Sequence, residues 1–170
     1  GHLDGNPKAL YFKNLGPEGT ELVGNVMGSR DRIAYALDVE EDELRDTIIE
    51  RLRHPIEPIE VPSADAPVHA VVHRGQDADF TKLPIHLQHS SDGGPYLSAT
   101  MDFAINPETG WTNVGVRRHM LRGRRQSNID LVSPSDLRAI YLAHVEKNNP
   151  LPVSYAVGTH PADFIGSTSL

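Results

Sequence analysis

The first part of the chain alternates between short apolar runs and polar turns, which predicts a strand–strand–helix beginning. Apolar runs at 9–12 and 21–26 are separated by glycine and proline, and this arrangement is typical of two strands joined by a turn. Ser29 stands where a helix N-cap is expected, immediately before an amphipathic stretch at 30–37. The pattern therefore predicts two strands followed by a first helix.

A second helix is predicted over 40–53. From Leu44 onward a large aliphatic residue recurs every fourth position, acidic residues occupy the first turn, and Pro55 follows the last turn. The segments 57–62 and 68–74 are predicted to be extended. Together these elements predict a small α/β domain over 1–77.

The pattern changes after residue 77 and predicts a β-hairpin. The stretch 97–105 alternates partly between apolar and polar residues, and 111–121 does the same. Between them, the residues 106–110 (NPETG) have the composition of a tight turn. The sequence therefore predicts two antiparallel strands joined by this turn.

A later helix is predicted to begin at Ser133. In this interpretation Ser133 is the N-cap, Pro134 is the first helical residue and Asp136 completes a capping box. A strand is expected over 153–157, and a short helix is expected from Pro161. With the hairpin, these elements predict a mixed α/β (α+β) fold with a second domain over 78–170.

Composition and charge narrow the functional classes. The formal net charge of -7 opposes general nucleic-acid binding, which needs a basic surface. No apolar run approaches the length of a membrane-spanning helix. The lack of cysteine excludes disulfides, thiolate metal sites and cysteine nucleophiles, and it is compatible with a cytoplasmic protein.

Arginine is concentrated in one short stretch of this acidic chain. Five of the 16 lysine and arginine residues lie within 117–125. Clustered guanidinium groups suit phosphate or carboxylate ligands, but a solvated strand end with scattered ion pairs explains the same pattern. Because neighbours on a strand point to opposite faces, only one of Arg117 and Arg118 is expected to face a pocket.

Other familiar site patterns are weak or missing. The nine histidines form no HExxH pattern, and surface or packing roles are favoured over a histidine metal site. The dinucleotide, P-loop and nucleophile-elbow signatures are absent. The glycine-rich segment 23–29 precedes a helix, which leaves a simple tight turn or an anion site as alternatives.

Several short motifs, in order along the chain, resemble the UbiD family of decarboxylases. The matching segments are Val23–Asn25, Gly28–Ala34, Leu83–Ile85, Asp92–Tyr96, Asn106–Gly110, Asn113–Arg118 and Gly158–Ala162. The resemblance implies an α/β N-terminal domain followed by the first half of a split β-barrel related to flavin reductases. It also implies reversible, non-oxidative decarboxylation of an aromatic or α,β-unsaturated carboxylic acid.

The resemblance further implies a cofactor and its ligands. The cofactor would be prenylated FMN, held with Mn²⁺ or a similar divalent metal and with K⁺. Asn113 would ligate the metal, and Arg118 would be the catalytic arginine beside the flavin and the substrate carboxylate. Cofactor contacts would come from Gly115, Val116 and Arg117, from Asn113 and Arg118 themselves, and from Ser135.

One position departs from the family pattern. The family often has a metal-ligand histidine about eighteen residues after its arginine, and this register gives Asp136 here. Carboxylate oxygen suits a hard cation, so Asp136 is assigned as a second metal ligand. A helix-capping role explains the same residue, and the sequence leaves both interpretations open.

The family's acidic catalytic residues lie downstream of the motif at 158–162, beyond Leu170. We therefore expect this chain to act with a remaining segment or a companion chain, in a homo-oligomer that binds neither nucleic acid nor membrane. The alternative is a non-catalytic flavin- or anion-binding module, or a regulatory subunit, on the same scaffold.

Overall fold

The computed structural model describes residues 5–16 and 19–169. Contacts within the chain divide it into two compact units, 1–84 and 85–170. The domain boundary predicted after residue 77 stays a prediction. Among the described residues, no helix combines the length and apolar character needed to cross a membrane.

The first unit contains a two-stranded antiparallel sheet and two helices. Strands β1 (Leu10–Leu15) and β2 (Thr20–Gly24) pair with each other, as the apolar runs predict. Helix α1 (Arg30–Leu37) begins after Ser29, whose side chain accepts a hydrogen bond from a backbone amide one turn into the helix. Helix α2 (Leu44–Arg53) follows. The predicted order of elements is confirmed.

Helix α2 begins four residues later than predicted. The amide of Glu43 donates to the carbonyl of Glu40, and the amide of Leu44 donates to that of Glu41, so 40–44 forms tighter three-residue turns instead of an α-helical turn. The apolar side chains buried in this unit are Ala34, Leu37 and Leu44. These residues place the core of the unit between α1 and the start of α2.

The segment that follows α2 is irregular. Residues 57–62 contain no helix or strand. The prediction of an extended segment over 68–74 is wrong in part, because a 3₁₀ turn covers Pro67–His69, where the proline fixes the first φ angle. Further 3₁₀ turns cover Gly75–Asp77 and Phe80–Lys82.

The second unit is built on a four-stranded antiparallel sheet. Its strands are β3 (Tyr96–Ile105), β4 (Thr112–Gly123), β5 (Gln126–Asn128) and β6 (Ser154–Val157), in the spatial order β5-β4-β3-β6. The predicted hairpin is confirmed, and the predicted strand near 153–157 forms β6. Strand β5 was not predicted. It pairs only with the last part of β4, from Met120 onward.

Two helices accompany this sheet, and the start of the first one corrects the sequence prediction. Helix α3 (Asp136–Glu146) is capped by Ser135, whose Oγ accepts a hydrogen bond from the Arg138 amide at 3.2 Å. Ser133 is therefore not the cap, and Asp136 is the first helical residue instead of the third, so it does not complete a capping box. Helix α4 (Pro161–Gly166) begins at its proline as predicted.

A β-bulge interrupts the pairing of β3 with β4. Leu97 lies opposite His119, but Thr100 lies opposite Arg117, so β3 has one extra residue between these pairs. Ala99 lies in the bulge with φ 55°, in the left-handed region. From Thr100 to Ile105 the pairing is regular.

The core of the second unit includes polar as well as apolar side chains. Its buried apolar residues are Met101, Ala104, Leu137 and Ile140, and its buried polar residues are Thr100, Asp102 and His119. Buried polar groups are costly unless they find partners. All three of these polar residues lie on the central hairpin of β3 and β4.

Candidate functional site

The central hairpin presents two chemically different faces. Side chains alternate along a strand, and directly paired residues on neighbouring strands share a face. One face of β3 and β4 carries Thr100, Asp102, Ala104, Asn113, Gly115, Arg117 and His119. The opposite face of β4 carries Val114, Val116, Arg118 and Met120. The prediction that Arg117 and Arg118 point to opposite faces agrees with this register.

An ion pair joins the two strands on the first face. Nη1 of Arg117 donates to Oδ2 of Asp102 at 2.8 Å. Asp102 is only 1% exposed, so its charge needs this partner. The Thr100 hydroxyl donates to the Arg117 carbonyl at 2.5 Å, which ties the same two strands together.

His119 lies on the same face and is fully buried. Neither of its ring nitrogens has a hydrogen-bond partner among the described residues, and its ring centroid lies 4.2 Å from that of Tyr155. Burial lowers the pKa of His119; Asp102 opposes this shift and Arg117 adds to it. Burial also raises the pKa of the Tyr155 phenol, and the Asp102 charge acts in the same direction.

A cavity of about 770 Å³ brings together the two predicted metal ligands. Asn113 lines it from the start of β4, and Asp136 lines it from the first turn of α3. Oδ1 of Asn113 is buried and has no hydrogen-bond partner among the described residues. The Asp136 carboxylate is exposed, and Ser135 takes the capping role that was the alternative explanation for it.

The donor chemistry of this cavity fits a hard cation. Amide and carboxylate oxygens are ligands that divalent cations such as Mn²⁺ and Mg²⁺ accept. Within 5–16 and 19–169, no group of three or more histidine, aspartate or glutamate side chains is placed to hold a metal. Asn113 and Asp136 thus supply oxygen donors to a cavity that Glu108 also lines, without a cluster of three such ligands among the described residues.

Arg118 lies apart from this cavity. Its side chain is exposed on the opposite face of β4, and its guanidinium carbon is 5.9 Å from the centroid of the Tyr96 ring. Val116, on the same face, is 37% exposed. The structure therefore groups Asn113 with Asp136 and groups Arg118 with Tyr96.

The other candidate segments have simpler explanations. Arg122 lies near the end of β4, and Arg124 and Arg125 form the turn to β5, so the arginine-rich stretch does not form one patch on one face. In the glycine-rich segment 23–29, the Arg32 guanidinium donates to backbone carbonyls of the turn. These contacts favour the tight-turn interpretation of that segment.

Two family models match nearly the whole chain. The N-terminal domain of 3-octaprenyl-4-hydroxybenzoate carboxy-lyase matches residues 2–52. The Rift-related domain of the same carboxy-lyase, UbiD, matches residues 59–170, which is more than half of the chain. The chain belongs to the UbiD family. The resemblance noted from the short motifs is thereby confirmed.

Relatives of this UbiD-family chain include two decarboxylases. Anhydromevalonate phosphate decarboxylase from Methanothermobacter thermautotrophicus is 28% identical over 160 residues, which cover 94% of this chain and 36% of the relative. Gallate decarboxylase from Lactiplantibacillus plantarum is 27% identical over 165 residues, covering 94% and 34%. The chain spans about a third of the length of these curated relatives.

A solved structure shows the same fold. An evolved dimeric form of the UbiD-class enzyme HmfF from Pelotomaculum thermopropionicum, in complex with prFMN, matches with a TM-score of 0.88 and 27% identity. The match covers 95% of this UbiD-family chain and 38% of the HmfF chain. The predicted mixed α/β architecture is therefore confirmed as that of UbiD-class enzymes.

Proposed function

We propose that this chain forms part of an enzyme that catalyses the reversible, non-oxidative decarboxylation of an aromatic or α,β-unsaturated carboxylic acid with prenylated FMN. The observation that carries the proposal is the buried, unpartnered Oδ1 of Asn113 in the cavity that Asp136 also lines. A buried acceptor without a partner costs free energy unless a ligand satisfies it. Membership of the UbiD family supports prenylated FMN, with its metal, as that ligand.

In this proposal Asn113 and Asp136 would hold a divalent cation, Mn²⁺ or a similar ion, which would supply positive charge for binding the anionic cofactor. Gly115, Val116 and Ser135 line the cofactor, and K⁺ binds near its phosphate. When bound, prenylated FMN would supply the ylide-like carbon that activates the substrate for loss of carbon dioxide. The side chains of this chain provide binding and orientation.

Arg118 is proposed to bind the substrate carboxylate. A guanidinium offers two parallel N–H donors to a carboxylate, which fixes both its position and its plane. The exposed position of Arg118 leaves these donors accessible, and the neighbouring Tyr96 ring provides an aromatic surface beside them. The residue would thus hold the scissile carboxylate in one orientation.

Proton transfer to the product requires acidic groups, which we propose come from a remaining segment or a companion chain. A homo-oligomer is proposed in addition. A cytoplasmic location, with which the lack of cysteine is compatible, is part of the same proposal.

Reconstitution tests this function. The chain, together with any polypeptide that completes it, is co-expressed with a flavin prenyltransferase, and the absorption spectrum and carbon dioxide release from aromatic acids are measured. We expect bound flavin and turnover, with turnover lost in Arg118→Ala and partly kept in Arg118→Lys. Flavin binding without turnover on any acid tested would favour the alternative, a non-catalytic binding module.

A further inference from the structure

The consecutive arginines of β4 have different surroundings. Arg117 donates from Nη1 to the buried Asp102, and its side chain is only 20% exposed. Arg118 is exposed on the other face, with its guanidinium near the Tyr96 ring. The two guanidinium groups therefore do not form one clamp for a single anion.

Gly115 provides the space that Arg117 needs. It lies directly opposite Asp102 in the pairing of β3 with β4, so the Arg117 side chain must pass over it to reach that carboxylate. A Cβ at position 115 would collide with Nη1 of Arg117 and would lie 3.0 Å from its Cζ. Gly115 is not among the glycines with positive φ, so the backbone does not require glycine here. The constraint is spatial and applies to the ion-paired orientation of Arg117, because the guanidinium is the far end of a flexible side chain.

We propose that Asp102 and Gly115 are positioning residues that hold Arg117 flat against the sheet, so that only Arg118, of the two arginines, binds an anionic ligand. The pairing also neutralises Arg117 on the face that carries Asn113, where a free guanidinium would repel a bound cation. The nature of the anion rests on the proposed function, whereas the orientation of Arg117 does not.

Arginine-selective labelling tests the proposal. The purified chain, with any companion polypeptide, is treated with phenylglyoxal, and the modification of each arginine is followed by peptide mass spectrometry with fragmentation between Arg117 and Arg118. A charge-assisted hydrogen bond of ~1.5–3 kcal/mol corresponds to about tenfold or greater protection of Arg117 relative to Arg118. In Asp102→Asn and Gly115→Ala, labelling of Arg117 is expected to rise toward the rate of Arg118.

Matched variants separate a local effect from a loss of fold. Asp163→Asn changes an exposed aspartate of the same unit, and Gly166→Ala adds a methyl where nothing lies within 4 Å. Both are expected to leave Arg117 protected. Arg32, which donates to backbone carbonyls in the first unit, is expected to keep its labelling rate in every variant, and urea unfolding of each variant checks that the second unit stays folded.

A double-mutant cycle tests the spatial role of Gly115 separately. Urea unfolding is measured for Gly115→Ala in the natural sequence and in the Arg117→Ala background. The destabilisation by Gly115→Ala is expected to vanish when Arg117 is removed. An equal destabilisation in both backgrounds would overturn the assignment of Gly115.

Labelling in the presence of benzoate tests the positioning of Arg117 separately from the proposed carboxylate binding by Arg118. Benzoate is expected to slow the labelling of Arg118 and to leave that of Arg117 unchanged. If Arg117 is labelled as fast as Arg118 in the natural sequence, or if benzoate protects Arg117, the positioning role is wrong. If benzoate protects neither arginine while Arg117 stays tenfold slower, the carboxylate assignment of Arg118 fails and the orientation of Arg117 stands.

Discussion

The imidazole of His119 packs against the phenol ring of Tyr155, with centroids 4.2 Å apart and planes tilted by 50°. His119 is fully buried, whereas Tyr155 is 40% exposed. The Tyr155 ring therefore covers the His119 ring at the edge of the sheet. Burial shifts the pKa of both side chains, so the stability of the second unit is expected to depend on pH at both ends of the scale.

Acid is expected to destabilise the fold through His119. Burial lowers its pKa below the usual value of 6.5, so below that pH the unfolded chain binds a proton that the folded chain does not. His119 therefore leaves the free energy of unfolding unaffected above pH 6.5 and lowers it as the pH falls below that value. Urea unfolding between pH 8 and pH 5 would show this decrease. The decrease in the free energy of unfolding should be smaller in His119→Phe. It should persist in His86→Phe, which changes an exposed histidine.

High pH is expected to destabilise the fold through Tyr155. Its pKa is raised above the usual value of 10.0, so the unfolded chain loses the phenolic proton first as the pH rises. The contribution of Tyr155 to stability is present below pH 10 and decreases above it. The Tyr155→Phe variant should lose part of the alkaline slope in an unfolding series from pH 8 to pH 11. An unchanged slope would contradict the assignment.

Neighbouring residues at the start of α3 are expected to separate helix capping from cation binding. Ser135→Ala removes the side-chain cap and should lower the free energy of unfolding by ~1 kcal/mol. Asp136→Asn should change stability less, since only a charge–dipole term of about 0.3–1 kcal/mol is lost. The affinity for Mn²⁺, measured by isothermal titration calorimetry, should fall in Asp136→Asn and not in Asp163→Asn.

The bulge in β3 offers a stabilising substitution. Ala99 has φ 55°, a conformation that costs an L-residue roughly 1–2 kcal/mol and glycine little. Ala99→Gly is therefore expected to raise the free energy of unfolding by up to about 1 kcal/mol. The same change at the buried Ala104, which is in regular strand pairing, should be destabilising. Urea unfolding of both variants checks the contrast.

The core of the second unit should be sensitive to truncation at Ile140. This side chain is 4% exposed, and Ile140→Ala is expected to cost ~2–5 kcal/mol by lost burial and by the cavity left behind. Leu142, on the same helix, is 44% exposed, and Leu142→Ala should cost much less. Thermal unfolding followed by circular dichroism would measure the difference.

The elements that the sequence predicted well are those with strong local signals. The turn 106–110 fixes the hairpin, because its composition suits a tight reversal between two apolar stretches. The start of α3 was missed by two residues because Ser133 and Ser135 both suit a cap, with Pro134 between them. In the structure the helix starting at Asp136 buries Leu137, a tertiary contact that local sequence does not encode.

The buried ion pair was not predicted, although a signal for it was present. Asp102 is the one charged residue of β3, and the hairpin register places it opposite Gly115. An inward charge in such a strand requires a partner, and the next residue on the same face of β4 is Arg117. The burial of His119 had no comparable signal, because it depends on Tyr155, which lies far along the chain in β6.

The bulge near Ala99 has a consequence for comparing this chain with its relatives. Tyr96 lies opposite Met120 and so shares a face with Arg118, although uninterrupted alternation from Thr100 would turn it to the other face. Deletion of one residue in the bulge would restore regular alternation and would leave Leu97 opposite His119 and Tyr96 opposite Met120. A relative without the extra residue would keep the same faces, whereas counting across this position without an alignment gap would assign every earlier strand residue to the wrong face. Residue roles should be transferred across it by face and not by count.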